Sequence, residues 1–152
     1  MRGFYYSIFC VMIILFNSCK KDDAAVPECG CESETILTVP SEENAIPMEE
    51  QTGGTLFFKH PDESAQYYDE EEYKNRFWIF RETMGCSMCE TYFIVCNDNF
   101  IGEEFDYLKE KEDVRDSIEI EFSGNIKQIC DIKATPVIYA HGEIVLTSIK
   151  KK

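Results

Sequence analysis

Apolar positions fall along this chain in three kinds of block. The first is continuous: residues 4–16 carry no charge and almost no polar side chain. A run of that length matches the roughly seven to fifteen residues of a signal h-region, and a spanning helix needs roughly twenty. The second kind is short, rich in aromatic and β-branched residues, and bounded by turn residues. It recurs at 55–59, 77–81, 92–96, 117–123 and 144–149, and each block predicts a strand. Residues 77–81 are apolar on both faces, which predicts deep burial. Residues 117–123 alternate, with Ile118, Ile120 and Phe122 inward and Glu119 and Glu121 outward. Gly124 then permits a kink or bulge. The third kind has helical spacing: Phe105 and Leu108 lie three apart, with Ile101 just before, and predict one helix over 103–113.

Three strands, a helix and two strands is the order of an OB-fold, whose helix plugs the barrel between its third and fourth strands. The expected fold is therefore mainly β with one helix, an OB-fold-like five-stranded barrel over residues 53–152. The turn Glu121-Phe122-Ser123-Gly124-Asn125-Ile126 looks like the fourth strand of many such barrels. A thioredoxin-like α/β fold is the alternative. Phe77-Trp78-Ile79-Phe80 precedes Cys86-Ser87-Met88-Cys89, and Thr135-Pro136 with residues 137–145 resembles the proline loop and final hairpin of thioredoxins. That resemblance implies Cys86 as nucleophile, Cys89 as resolving thiol and Pro136 as the cis-proline. It also asks for Cys86 at a helix N-terminus, where the dipole lowers a thiol pKa. The run behind Cys89 (Thr91-Tyr92-Phe93-Ile94-Val95) is strand-like instead.

Cys19 follows the leader directly, after a small Ser18 and before Lys20-Lys21-Asp22-Asp23. The segment resembles the leaders of Bacteroidota lipoproteins, and departs from the common lipobox in having Phe16 and Asn17 before the serine. The resemblance implies a signal peptide over 1–18, acylation of Cys19 and an outer-membrane location. The charged run resembles a signal for export to the cell surface. Residues 19–52 then read as the lipidated cysteine and an acidic tether punctuated by Pro27, Pro40 and Pro47, in which only 35–39 looks like a strand. The region 53–149 further resembles small, mostly uncharacterised lipoproteins of that group. Besides Cys29-Gly30-Cys31 upstream of it, its points of likeness are Phe77-Trp78-Ile79, Ile94-Val95-Cys96-Asn97, Phe122-Ser123-Gly124 and Leu146-Thr147-Ser148-Ile149, and they imply no activity.

Charge narrows the partners. The leader holds one basic residue, Arg2, so the remainder carries 14 basic against 29 acidic residues, a formal charge of −15. Such a surface repels phosphate backbones and excludes nucleic acid as an expected partner. Membrane attachment falls to the acyl chains, and an envelope protein or glycan is the partner class left.

Six cysteines remain besides Cys10 and Cys19: Cys29, Cys31, Cys86, Cys89, Cys96 and Cys130. An even number in an exported chain predicts disulfides. Cys96 and Cys130 flank the fourth strand, have no C-x-x-C neighbour and are expected to pair. Cys86 and Cys89 are expected to be structural. A four-thiolate zinc site drawn from Cys29, Cys31, Cys86 and Cys89 needs reduced thiolates and two C-x₂-C pairs, so no metal or other cofactor is assigned. His60 and His141 have no ligand spacing and read as turn or surface residues. Trp78, Tyr67, Tyr68 and Tyr73 offer rings for stacking on a sugar, against a core role that their density favours. No Ser/His/Asp set or phosphate loop is present. A non-catalytic binding or interaction module outranks an enzyme, with a thiol-disulfide oxidoreductase using Cys86 and Cys89 as the alternative.

Overall fold

The computed structural model describes residues 25–43, 47–60, 73–82, 86, 89–110, 116–130 and 139–152. Cys19, Tyr67, Tyr68 and Pro136 lie outside them. Among the described residues six strands form one sheet: β1 (Thr35–Val39), β2 (Gly53–Lys59), β3 (Arg76–Glu82), β4 (Glu90–Val95), β5 (Ile118–Lys127) and β6 (Tyr139–Lys151). A single helical turn, α1 (Met48–Gln51), leads into β2, and two 3-10 helices, Asp98–Phe100 and Glu103–Glu110, separate β4 from β5.

β2 pairs antiparallel with β3 and with β5, and β3 pairs antiparallel with β4. β4 runs parallel to β6, and β6 pairs antiparallel with β5, which closes the ring. Five strands thus make the expected OB-fold-like barrel, and closure removes their free edges. The thioredoxin-like alternative is ruled out as a fold, because the sheet is a closed and mostly antiparallel barrel. The short, strongly patterned blocks explain why: alternate residues of every strand turn into one core. Leu56, Phe58, Phe77, Ile79, Phe93, Val95, Ile120, Phe122, Ile144 and Leu146 fill it.

The helix differs in kind from its expectation. Glu103–Glu110 is a 3-10 helix, in which residues three apart eclipse, and that geometry places Phe105 and Leu108 together in the core. The break expected at Gly124 is present, since the β5–β6 register shifts between Ser123 and Gly124. A Cβ at Gly124 would stand 2.7 Å from the Val145 carbonyl oxygen and 2.8 Å from Ile144 Cγ1. Only glycine lets β6 approach that closely.

The stretch read as a tether packs on the barrel from Cys29 onward. β1 pairs with the far part of β5, from Thr35 opposite Lys127 to Val39 opposite Gly124. Val39 is fully buried in the core. Gln51 is also fully buried and ties the arm down twice: the Ser41 N–H donates to Gln51 Oε1 at 2.8 Å, and Gln51 Nε2 donates to the Ser41 carbonyl at 2.9 Å.

The expected Cys96–Cys130 bond does not form. Cys29 is bonded to Cys130, Cys31 to Cys96, and Cys86 to Cys89. The physical reason is the arm itself. Gly30, at φ 89°, turns the chain between the two cysteines and donates its N–H to the Gln128 carbonyl at 2.7 Å. Cys29 and Cys31 therefore diverge, one toward the end of β5 and the other toward the end of β4.

Candidate ligand-binding face

β3 and β4 are the second and third strands of the barrel, and in OB-folds the corresponding face receives ligands. Side chains that point away from the core there form two cross-strand rows. Thr55, Phe80, Tyr92 and His141 stand opposite one another on β2, β3, β4 and β6. Phe57, Trp78, Ile94 and Glu143 form the next row.

The Trp78 row is covered. Tyr73, Trp78, Ile94 and Ile129 make a second apolar cluster outside the barrel, with Phe57 and Tyr92 against it. Trp78 Nε1 donates to the Tyr73 carbonyl at 3.1 Å, and the Tyr73 hydroxyl donates to the Cys130 carbonyl at 2.8 Å. Arg76 Nη2 donates to the Val95 carbonyl at 2.7 Å and approaches Cys31 Sγ at 3.7 Å. Trp78 and Tyr73 are thus structural rings, as their density argued.

The other row stays half-buried. The Phe80 and Tyr92 rings lie 5.3 Å apart, and the Tyr92 and His141 rings stack at 5.3 Å with 13° between their planes. Together they make a continuous aromatic strip across three strands. The Tyr92 hydroxyl donates to Glu90 Oε2 at 2.6 Å, which fixes its ring. Lys59 Nζ stands 4.8 Å from the Trp78 ring centre. Burial, and then the positive charge of Lys59, lower the His141 pKa to about 4, so the imidazole is neutral near pH 7. His141 was expected in a turn or on the surface. It is instead a strand residue stacked on tyrosine, a role that a lone histidine in sequence does not reveal.

Cys86 and Cys89 sit between β3 and β4, where the Cys89 N–H donates to the Cys86 carbonyl at 3.0 Å. A strand, β4, begins at Glu90 directly after Cys89, so the run behind the pair is strand as expected. The cysteines once drawn as a zinc set are divided among three disulfides. Cys31 and Cys96 place their sulfurs near a Glu143 carboxylate oxygen, all within 4.8 Å, but bonded to each other they offer no thiolate.

A cleft of about 410 Å³ adjoins the strip at Phe80. The β2–β3 ladder ends at Thr55–Phe80, although β2 continues to Gly53 on β5 and β3 continues to Glu82 on β4. The strands part there like a fork. Arg81 lies in the fork, half-buried, with its guanidinium 5.6 Å from the Phe93 ring centre and Nη1 donating to the Gln51 carbonyl at 3.0 Å. Burial lowers its pKa below the ordinary arginine value.

Compared with known protein families and with curated proteins, the chain matches none. Its function has to be argued from these surfaces. The row of Phe80, Tyr92 and His141 was not singled out from sequence. The available signal was a strand apolar on both faces, which means that something besides the barrel core is buried against it. Arg81 also had a signal, a lone cation ending an apolar strand. Among the described residues no helix is long and apolar enough to cross a membrane.

Proposed function

We propose that the protein is a lipid-anchored binding module of the outer membrane, displayed at the cell surface, which holds a glycan on the aromatic strip of Phe80, Tyr92 and His141. The observation that carries this reading is the register-matched row of those rings across β3, β4 and β6, with Phe80 tilted against Tyr92 and Tyr92 stacked on His141. The exposed parts of aromatic rings pack on the apolar faces of sugar rings, and the Glu90 carboxylate beside them accepts hydrogen bonds from hydroxyl groups. The large excess of acidic residues favours a neutral or basic polymer over an anionic one. Attachment rests on Cys19 and its surrounding charge pattern, with acyl chains supplying the membrane affinity.

Two measurements test the reading. In cells, Cys19→Ser is expected to abolish labelling by a fatty-acid probe and to leave precursor; continued labelling in the outer membrane would overturn the anchor. For the purified protein, binding to an array of envelope glycans is expected, with loss of at least about tenfold in affinity for Tyr92→Ala. Capture of a protein partner with no glycan bound would replace the glycan reading. Insulin reduction accelerated by the wild type and lost in Cys86→Ser would replace it with an oxidoreductase.

A further inference from the structure

The fork between β2 and β3 holds charges of both signs that do not pair with one another. Arg81 and Lys152 line the cleft together with Glu49, Glu50, Glu82 and Glu119. Lys109 pairs with Asp106 and Lys150 with Glu121, and neither pair lies in the cleft. Arg81 bonds to a single backbone carbonyl, and its buried Nε has no hydrogen-bond partner. In the same lining, a buried oxygen of Glu50, Oε2, is also without one. Leaving one guanidinium N–H and one carboxylate oxygen unpaired costs free energy on both sides.

A bare anion entering the cleft meets four carboxylates, and a bare cation meets Arg81 and Lys152. A ligand carrying one charge of each sign meets a partner for both. We propose that the fork binds a small zwitterion with one carboxylate and one ammonium group, the chemistry shared by a free amino acid and a short peptide. Its carboxylate sits on the terminal N–H groups of Arg81, in the charge-assisted geometry that guanidinium favours. Its ammonium group lies toward Glu50 and Glu82, and its side chain rests against the Phe80 ring. The cleft falls within the roughly 300–1,000 Å³ typical of small-molecule sites. The proposal shares Phe80 with the glycan reading and otherwise uses the fork, not the Tyr92–His141 stack, so the Arg81 and Tyr92 variants tell the two apart.

Calorimetric titration of the full chain with leucine, dileucine, N-acetyl-leucine and leucinamide tests it. Leucine or dileucine is expected to bind, and whichever binds tighter identifies the source as free amino acid or peptide. N-acetyl-leucine and leucinamide each lack one charge and should bind at least about tenfold more weakly. Arg81→Gln should weaken the zwitterion by a similar factor. Should that variant fail to fold, Glu50→Gln, on a half-buried side chain of a short helix, is expected to weaken dileucine or leucine while leaving N-acetyl-leucine unchanged. Equal binding of the blocked analogues, or no zwitterion binding at millimolar concentration, overturns the proposal. So does a loss in Tyr92→Ala as large as in Arg81→Gln, because it would place the ligand on the aromatic strip.

Discussion

The outward face of β3 and β4 has two halves built on the same strands. Around Trp78, the half nearer the N-terminal arm is finished: Tyr73 and Ile129 close over it, and Cys29–Cys130 and Cys31–Cys96 hold the neighbouring chain segments in place. Around Phe80, Tyr92 and His141 the rings remain half-buried, and the nearby disulfide, Cys86–Cys89, joins residues only three apart. The long cross-links therefore coincide with the half around the buried Trp78, and the short one with the half that stays partly exposed. Burial and chain restraint stabilise one half, while the rings of the other stay partly exposed.

Truncating a ring in each half sharpens that contrast most. Trp78 is 3 % exposed, and Trp78→Ala should cost about 3–5 kcal/mol in urea unfolding, as large core truncations do. Tyr92→Ala should cost about 1–2 kcal/mol, a partly buried ring and one hydrogen bond. Similar losses for both would mean that the two halves are equally packed.

Disulfide removal gives the next largest difference. On the chain-entropy relation, the 65-residue separation of Cys31 and Cys96 corresponds to about 4 kcal/mol, and the separation of 3 between Cys86 and Cys89 to about 2. Double serine variants compared by chemical denaturation should follow that order. Non-reducing peptide mapping of the wild type should recover Cys29–Cys130 and Cys31–Cys96, and no Cys96–Cys130 peptide.

Acidification is the gentlest probe of the open half. The His141 pKa of about 4 lies below the ordinary value of 6.5, so the unfolded chain takes up that proton first as pH falls. Stability tied to the neutral ring is complete above about pH 6.5 and is lost on approach to pH 4. Because the ring is partly exposed, the loss should be on the order of 1 kcal/mol. Asp98 acts in the opposite sense, since burial raises its pKa against the pull of Arg76 and Lys109. The quantity to compare is therefore the melting temperature across that range in wild type and His141→Gln, with a flatter profile expected for the variant.

Much of the barrel was legible because its signals are local. Alternation at Ile118, Ile120 and Phe122 located β5 and its inward face, and Gly124 marked the bulge. The extent of β6 was less legible: the expected strand at 144–149 is the middle of one that runs from Tyr139 to Lys151, and its flanking glycine, histidine and lysines carry no strand pattern. The cysteine pairing was not legible at all. Six thiols allow fifteen pairings, and the choice depends on where an arm of weak local preference comes to rest. The aromatic strip was hidden for a related reason. Phe80, Tyr92 and His141 come from three separate segments, one of them joined through a parallel pairing, and no spacing in the sequence aligns them.

The Cys29-Gly30-Cys31 clip also determines how the domain carries load. Tension arriving along the chain from the N-terminal side meets Cys29 first and passes through a covalent bond to Cys130, at the end of β5. Whatever continues past Gly30 reaches Cys31 and is handed to Cys96, at the end of β4. β1 and α1 lie beyond both bonds, so the hydrogen-bonded ladder of Thr35–Val39 on β5 carries none of the pull. Pulled from the N-terminal side, the domain would then take the force into the ends of β5 and β4 through covalent bonds, ahead of the β1 ladder.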